Sequence, residues 1–452
     1  MSQSPEQFDL VVVGTGSGNS VLTPDFDDWR VALIERDTFG GTCLNRGCIP
    51  SKMFVYAADM AHQSGHTGHL GVDSSLDGVH WPEIVGRVFG RIDPIAQGGE
   101  DYRHSLDNVT VFNGDARFVG HKVLEVSGHQ LTGDHIVLAA GARPFIPPIS
   151  GLDDVPCHTS DTVMRLESLP ERLVILGGGY IAAELGHVFD AMGVSVSIVN
   201  RSDRLLRAED EDVSAAFTEI VSQRMDCALG SPITRVSQSG SQVTVHTEAR
   251  NVIGDVLLLA TGRVPNGKQL GVTRSGIELD DAGYVVTDEF LRTGVEGVWA
   301  LGDICHAAQL KHTANEDTRA VAHNISHPDD LRVPDHSGIP HAVFAYPQVA
   351  AVGATEQALR AERRPYLKAV RPYSDTAYGW AMEDTTSFAK VLADPETRRL
   401  LGAHIIGPQA PTLIQQLIQG FQFGLTVDEM ARGQLYIHPA LTEVVEQALL
   451  EL

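Results

Sequence analysis

Two cysteines with four residues between them, Cys43 and Cys48, lie in the run Gly41-Thr42-Cys43-Leu44-Asn45-Arg46-Gly47-Cys48-Ile49-Pro50-Ser51-Lys52. The chemistry open to such a pair is a dithiol that closes to a disulfide and reopens on each turnover. In a regular helix, Cα atoms five residues apart are separated by roughly 8 Å. A disulfide needs less than about 7 Å. A bridge therefore requires an irregular turn, and Pro50 is consistent with disrupted helix geometry. Strain of that kind makes a bridge easier to reduce. The alternatives are two ordinary buried thiols or part of a metal site, and no second pair at metal-ligand spacing is present. Cys157, Cys227 and Cys305 have no comparable neighbours and read as structural. Near the C-terminus, His438-Pro439 is followed by Glu443. A histidine oriented by a carboxylate is a suitable proton donor for a leaving thiolate, although a lone histidine is more often a satisfied polar side chain.

A cycling dithiol needs an electron source, and two glycine turns in the chain supply candidates. Phe8 to Val13 reads as a buried parallel strand, followed by Gly14-Thr15-Gly16-Ser17-Gly18-Asn19, a short helix, and a second strand Arg30 to Glu35. Gly14 and Gly16 let backbone N–H groups approach a pyrophosphate at a helix N-terminus, and Glu35 stands where an acid binds a ribose hydroxyl. Asn19 occupies the usual third glycine position, so the packing there must tolerate a side chain. The pattern recurs as strand Arg172 to Leu176, turn Gly177-Gly178-Gly179-Tyr180-Ile181-Ala182, a helix to about Met192, and strand Val194 to Val199. Gly177, Gly179 and Ala182 match the motif. Here the second strand ends in Asn200 rather than an acid, and Arg201, Arg204 and Arg207 follow. Loss of the acid removes repulsion toward a 2′-phosphate and the arginines offer partners, which favours NADPH over NADH. The plainer reading is that these arginines cover a solvated loop.

The elements that hold these motifs suggest a domain plan. Strands Ile136 to Ala140 and Val256 to Ala260 close the two units, before Gly141 and Gly262. Prolines 144, 147, 148 and 265 mark the crossovers. From about Pro334 the chain becomes β-rich (His341 to Gly353, Tyr366 to Pro372, Ser387 to Leu392, Leu400 to Ile406) and then helical from Pro411 to Gly424. The expectation is an α/β protein with two Rossmann-like dinucleotide-binding domains, 1–145 with 265–333 and 146–264, plus an α+β domain, 334–452. A chain of 452 residues exceeds what one core accommodates. Its formal net charge of −24 disfavours nucleic acid and anionic membrane surfaces. No apolar run is long enough to span a bilayer. The short polar N-terminus lacks a signal-peptide pattern, and five cysteines fit a reducing compartment, so the expected location is the cytoplasm.

These motifs taken in order, with Gly297-Val298-Trp299-Ala300-Leu301-Gly302-Asp303 and His438-Pro439 with Glu443, closely resemble the class I flavoprotein disulfide reductases over essentially the whole chain. Within the family the runs Gly14 to Ser20, Asp27 to Glu35 and Ser51 to Ala57 are most similar to the branch that reduces mycothione, the symmetric disulfide of mycothiol. The resemblance implies FAD on the first unit and NADPH on the second. It places Glu35 on the adenosine ribose of FAD, Asp303 on the ribityl chain, Gly41 and Thr42 beside the cofactor, and Lys52 near the flavin, paired with Glu184. It places Tyr180 over the nicotinamide face of the flavin and a helix beginning near His312 with its positive end toward the ring. It further implies that Cys48 is the flavin-proximal thiol and Cys43 the interchange thiol. The implied assembly is a homodimer joined by the C-terminal domain, with His438 and Glu443 serving the dithiol of the opposite subunit. Dihydrolipoamide dehydrogenase is the nearest rival, although its second nucleotide unit normally ends in an acid. Mercuric and long-tailed thioredoxin reductases would need a further cysteine pair near the C-terminus, and Ala448-Leu449-Leu450-Glu451-Leu452 has none. From another class, a non-catalytic flavin-binding interaction protein stands against the retention of both cysteines and of His438 with Glu443.

Overall fold

Continuous apolar runs such as Val11-Val12-Val13 and Val31-Ala32-Leu33-Ile34 have no polar face to offer water. They form strands covered on both sides. The computed structural model describes residues 4–452. The chain forms two compact units: one takes the chain up to Pro50 with Val85–Phe145 and Gly262–His336, the other Ser51–Ile84, Ile146–Thr261 and Ser337–Leu452.

In the first unit, strand Glu6–Val13 lies between Val31–Glu35 and His129–Leu138, parallel to both. Val109–Asn113 extends the sheet beyond Val31–Glu35, and Val298–Ala300 adds in parallel to His129–Leu138. Val11, Val13, Ala32 and Ile34 enter one core, while Leu10, Val12, Val31 and Leu33 enter the other. Ala142–Pro144 and Arg263–Pro265 pair antiparallel, so the two expected proline-marked crossovers are one ribbon.

The expected short helix after the first glycine turn is not an α-helix. Two 3-10 turns, Gly18–Val21 and Pro24–Phe26, carry the chain to the next strand. The linker between Asn19 and Arg30 is short, and Pro24 ends any continuous helix.

In the second unit the parallel order is Asp226–Leu229, Ser195–Asn200, Arg172–Leu176, Val256–Leu259 and His158–Thr159. A full α-helix, Tyr180–Ala191, follows its glycine turn. Residues from His341 onward form an antiparallel five-stranded sheet, ordered His341–Val343, Val349–Gly353, Leu400–Ile406, Phe388–Ala393, Leu367–Pro372. Helices Ala410–Gln422, Val427–Arg432 and Thr442–Leu450 pack into its core. Among the described residues no helix is long and apolar enough to cross a membrane.

A buried ion cluster ties segments of the second unit together. Lys390 is fully buried, and its Nζ reaches Asp210 Oδ1 at 2.8 Å, Asp212 Oδ2 at 2.6 Å and Glu356 Oε2 at 2.5 Å. Asp210 is also the N-cap of helix Glu211–Arg224, and its other oxygen accepts the Glu356 N–H. Burial opposes the charge on Glu356, but hydrogen bonds from Lys390, Tyr366 and Lys368 prevail and take its carboxyl down to about 2. A carboxyl held below its ordinary value contributes stability that is complete above about pH 4.5 and is lost as the pH falls toward 2. Removing one partner of a buried ion cluster leaves charge uncompensated. Lys390→Met is therefore expected to cost about 3–5 kcal/mol, seen as a clear drop in the thermal midpoint at neutral pH. An unchanged midpoint would count against the cluster as a tie.

Candidate active site

The dithiol segment is built as two helices with a break between them. Gly40 at φ 96° and Gly41 at φ 66° turn the chain into helix Gly41–Asn45. Arg46 leaves helical geometry at φ −151°, and helix Cys48–Ser64 begins two residues later. The break is at Arg46-Gly47, not at Pro50. Pro50 lies in the first turn of the second helix, where a missing N–H leaves no bond unmade. A Cβ on Gly47 would sit 3.0 Å from the Thr42 carbonyl oxygen, so a glycine suits the break. Asn45, buried, holds the segment from inside, its Nδ2 donating to the carbonyls of Phe39 at 2.7 Å, Gly41 at 3.1 Å and Thr38 at 3.2 Å. Sequence reasoning missed this residue; its adjacency to the cysteines was the only signal.

Cys43 and Cys48 are brought together in dithiol form, with Cys43 half-buried and Cys48 exposed. The hydrogen bond between the two sulfur groups, then burial, push the Cys43 thiol well above its ordinary range, while Lys311 pulls it down. Once one thiol of such a pair has ionised, the other holds its proton hard. Cys305 is pushed up by burial, with its Sγ 3.5 Å from the Gly302 carbonyl oxygen, as a structural thiol would be. Cys157 is exposed and Cys227 half-buried.

The first glycine turn and the dithiol segment meet backbone to backbone. A Cβ on Gly41 would lie 2.6 Å from the Gly16 Cα, and a Cβ on Gly14 2.4 Å from the Ala139 carbonyl oxygen. Buried Glu35 accepts from the Thr15 N–H at 2.9 Å and the Thr15 hydroxyl at 2.6 Å, and its other oxygen accepts the N–H groups of Arg36 and Asp37. The Thr15 hydroxyl accepts the Gly40 N–H at 3.1 Å. Glu35 thus fastens the turn, the strand end and the cysteine segment to one another.

Asn19 is accommodated by Arg103, whose guanidinium donates to its side-chain oxygen and its carbonyl, each at 2.8 Å. Asp303 is half-buried in the turn Gly302–Ile304, which Asp317 anchors by accepting the Gly302 N–H at 2.9 Å. Burial raises the Asp303 carboxyl, and Arg263 and Lys311 pull it back. His312 is the exposed second residue of helix Lys311–Ser326. Gly141 and Gly262 adopt left-handed φ at the ribbon ends, 63° and 108°.

In the second unit, a Cβ on Gly177 would meet the Ala260 carbonyl oxygen at 2.1 Å, whereas Gly179 faces open space. Gly179 is the N-cap of Tyr180–Ala191, and no side chain caps that helix. The first-turn N–H groups therefore keep their capacity for an anion. Ala182 is buried, and Tyr180 is exposed. Asn200 packs on Gly178, and its Nδ2 donates to the Arg204 carbonyl at 3.1 Å, shaping the arginine loop. Arg201 and Arg207 are exposed and make no ion pair among the described residues. Lys52 and buried Glu184 form the expected pair, with Nζ 2.6 and 2.7 Å from the two oxygens, and Glu184 also accepts the Phe344 N–H at 3.0 Å. His438 and Glu443 are likewise paired, Nδ1 to Oε1 at 2.8 Å. The imidazole is 73% exposed. No cluster that could hold a metal ion occurs among the described residues.

Two glycine turns of nucleotide-binding shape and a hydrogen-bonded dithiol define the class of a flavin- and pyridine-nucleotide-dependent oxidoreductase. Residues 8–320 match the family "pyridine nucleotide-disulphide oxidoreductase" and residues 339–449 its dimerisation domain; the chain belongs to that family. It is 46% identical to the mycothione reductase of Mycobacterium tuberculosis (strain ATCC 25618 / H37Rv), over 99% of this chain and 100% of that one. It is 31% identical to a dihydrolipoyl dehydrogenase of Chlamydia pneumoniae, over 98% and 97% of the two chains. Among solved structures, the HOCl-induced flavoprotein disulfide reductase RclA from Escherichia coli superposes with a TM-score of 0.86 at 28% identity, over 98% and 99%.

The enzyme's cofactors are FAD and NADPH, and the chain forms a homodimer. The turns fit both cofactors: Gly14, Gly16 and Gly41 keep a side-chain-free cradle, and Gly179 leaves a helix end open. Gly41→Ala puts a methyl into the first cradle at a left-handed position. It is expected to weaken flavin retention about tenfold, or ~1.4 kcal/mol, measured as visible absorbance per protein after gel filtration. Full flavin content would show that the cradle is not needed.

Proposed function

We propose that the chain reduces a symmetric low-molecular-weight disulfide, mycothione, to two molecules of mycothiol at the expense of NADPH, using Cys43 and Cys48. The observation that carries the substrate is the 46% identity to mycothione reductase along the whole of both chains, against 29–31% to the mercuric reductases and dihydrolipoyl dehydrogenases. Domains 1–145 with 265–333, 146–264 and 334–452 are read as the FAD-binding, NADPH-binding and dimerisation domains.

Bound flavin supplies the two-electron relay from nicotinamide to the dithiol. The protein's part is to hold charge and move protons. Gly14, Gly16, Gly41, Thr42, Glu35, Gly141, Lys52, Asp303 and His312 are assigned to FAD, and Lys52 is held in place by Glu184. Gly177, Gly179, Tyr180, Ala182, Arg201, Arg207 and Gly262 are assigned to NADPH. Within the opened pair, Cys43 attacks one sulfur of the substrate disulfide, and that S–S bond breaks. The first thiolate leaves with a proton from the partner's His438, which Glu443 orients through Nδ1 so that Nε2 faces the reaction. Cys48 then attacks the Cys43 sulfur of the mixed disulfide, the second thiol leaves, and the Cys43–Cys48 bridge is restored. The Cys43 thiol holds its proton more firmly than an ordinary thiol, so its attack needs that proton removed, a task assigned to the partner's His438 before it protonates the leaving thiolate.

The shared site is supported by the surface around His438. Leu435 is fully exposed, and Ile437 is 75% exposed, within the segment that matches the dimerisation domain. Apolar side chains so placed call for cover by a second copy. The reducing chemistry of the cysteines is in keeping with a cytoplasmic location.

Cys43→Ser is expected to abolish turnover of mycothione while NADPH still bleaches the flavin; full turnover would refute the interchange role. His438→Ala should slow thiol release about 100-fold or more and leave flavin reduction near the parent rate, as read by stopped-flow. Steady-state assays of mycothione, lipoamide and glutathione disulfide with NADPH and NADH decide the substrate. Strong lipoamide turnover without mycothione turnover would overturn it.

A further inference from the structure

The two glycine turns are unequally equipped for an anion. Gly177–Gly179 opens a twelve-residue α-helix, whose aligned peptide dipoles place partial positive charge at the turn. Gly14–Gly16 opens only the four-residue 3-10 turn Gly18–Val21, which has too few aligned peptides to supply that charge. A diphosphate held there needs a cation from elsewhere.

The nearest guanidinium, that of Arg103, is already engaged by Asn19. A second cation arrives from far along the chain. Lys311 is the first residue of the sixteen-residue helix Lys311–Ser326, and its Nζ lies 2.9 Å from the Ser17 hydroxyl oxygen, inside the glycine turn. Thr318 of the same helix also lies against the turn, its hydroxyl 3.3 Å from the Ser17 carbonyl oxygen and 2.7 Å from the Ala314 carbonyl oxygen of its own helix. Lys311 makes no ion pair among the described residues, so its charge is not neutralised by a protein carboxylate. Its field reaches the acidic groups on either side of the turn, pulling down both the Asp303 carboxyl and the Cys43 thiol. An unpaired ammonium at this point is held by a hydroxyl, which a phosphate oxygen can join or replace as the acceptor.

We infer that Lys311 is the cation that binds the diphosphate of FAD at the first glycine turn, replacing through a side chain the helix dipole that this crossover lacks. The inference rests on the reading that this turn holds FAD. It makes flavin retention dependent on a residue almost three hundred positions away from the turn.

The test compares the holoenzyme with Lys311→Met, Lys311→Arg and Gly16→Asp, measuring FAD released on dilution across a potassium chloride series by flavin fluorescence. Lys311→Met keeps the side-chain bulk and removes the charge. It is expected to raise the FAD dissociation constant about tenfold or more and to flatten its dependence on salt. Lys311→Arg should retain flavin better than Lys311→Met. Gly16→Asp adds a negative charge to the turn and should release flavin whatever the role of Lys311. If Gly16→Asp loses FAD while Lys311→Met holds it as the parent does, this inference falls and the location of FAD stands. If neither variant loses FAD, the location itself is wrong. Should Lys311→Met fail to fold, judged by circular dichroism, Lys311→Gln serves instead: unchanged flavin retention and unchanged salt dependence there would also overturn the assignment.

Discussion

The constraint on which the site depends is the meeting of two stretches of backbone, Gly16 and Gly41, with no side chain between them. It sets the cysteine segment directly against the first nucleotide turn, and a side chain at Gly41 would run into the Gly16 backbone. The hydrogen bonds of Glu35 to Thr15, and of Thr15 to Gly40, hold this approach in place from the buried side. A dithiol that exchanges electrons with a cofactor must be rigidly placed, and here the placement is made by main chain rather than by flexible side chains.

The same economy appears in the break between helix Gly41–Asn45 and helix Cys48–Ser64. Continuous helix would hold Cys43 and Cys48 too far apart to bridge, while a loose loop would not hold them at all. Arg46 and Gly47 interrupt the helix, and Asn45 restrains the interrupted segment by binding three carbonyls at once. The proton-handling pair is organised differently. His438 and Glu443 form a hydrogen-bonded pair on an exposed surface, which is compatible with the proposed reaction at a dithiol of another subunit.

Electrostatics divides the two nucleotide units. The second has an uncapped helix end and, among the described residues, no ion pair on Arg201 or Arg207, and it follows the familiar strand, turn, helix pattern. The first has lost its helix. Its turn is stabilised by groups recruited from distant segments: Arg103 accommodates Asn19, and the helix Lys311–Ser326 contributes both Lys311 and Thr318. In the remainder of the second unit, the Lys390 ammonium shows the opposite use of charge, itself sealed from solvent and paired with three carboxylates.

Much of this was legible in the sequence because it depends on local pattern. Apolar runs ending in glycine specified the parallel strands, the cysteine spacing required an irregular turn, and the two glycine motifs marked the turn after the first strand of each unit. Locally encoded features of that kind follow from chain geometry within a few residues. The replacement of the first helix by 3-10 turns, the break at Arg46-Gly47 instead of Pro50, and the roles of Asn45, Arg103 and Lys311 did not follow from pattern. They depend on which side chains reach a given atom after folding, and contacts between residues tens to hundreds of positions apart leave no periodicity behind. Only the tertiary structure could decide them.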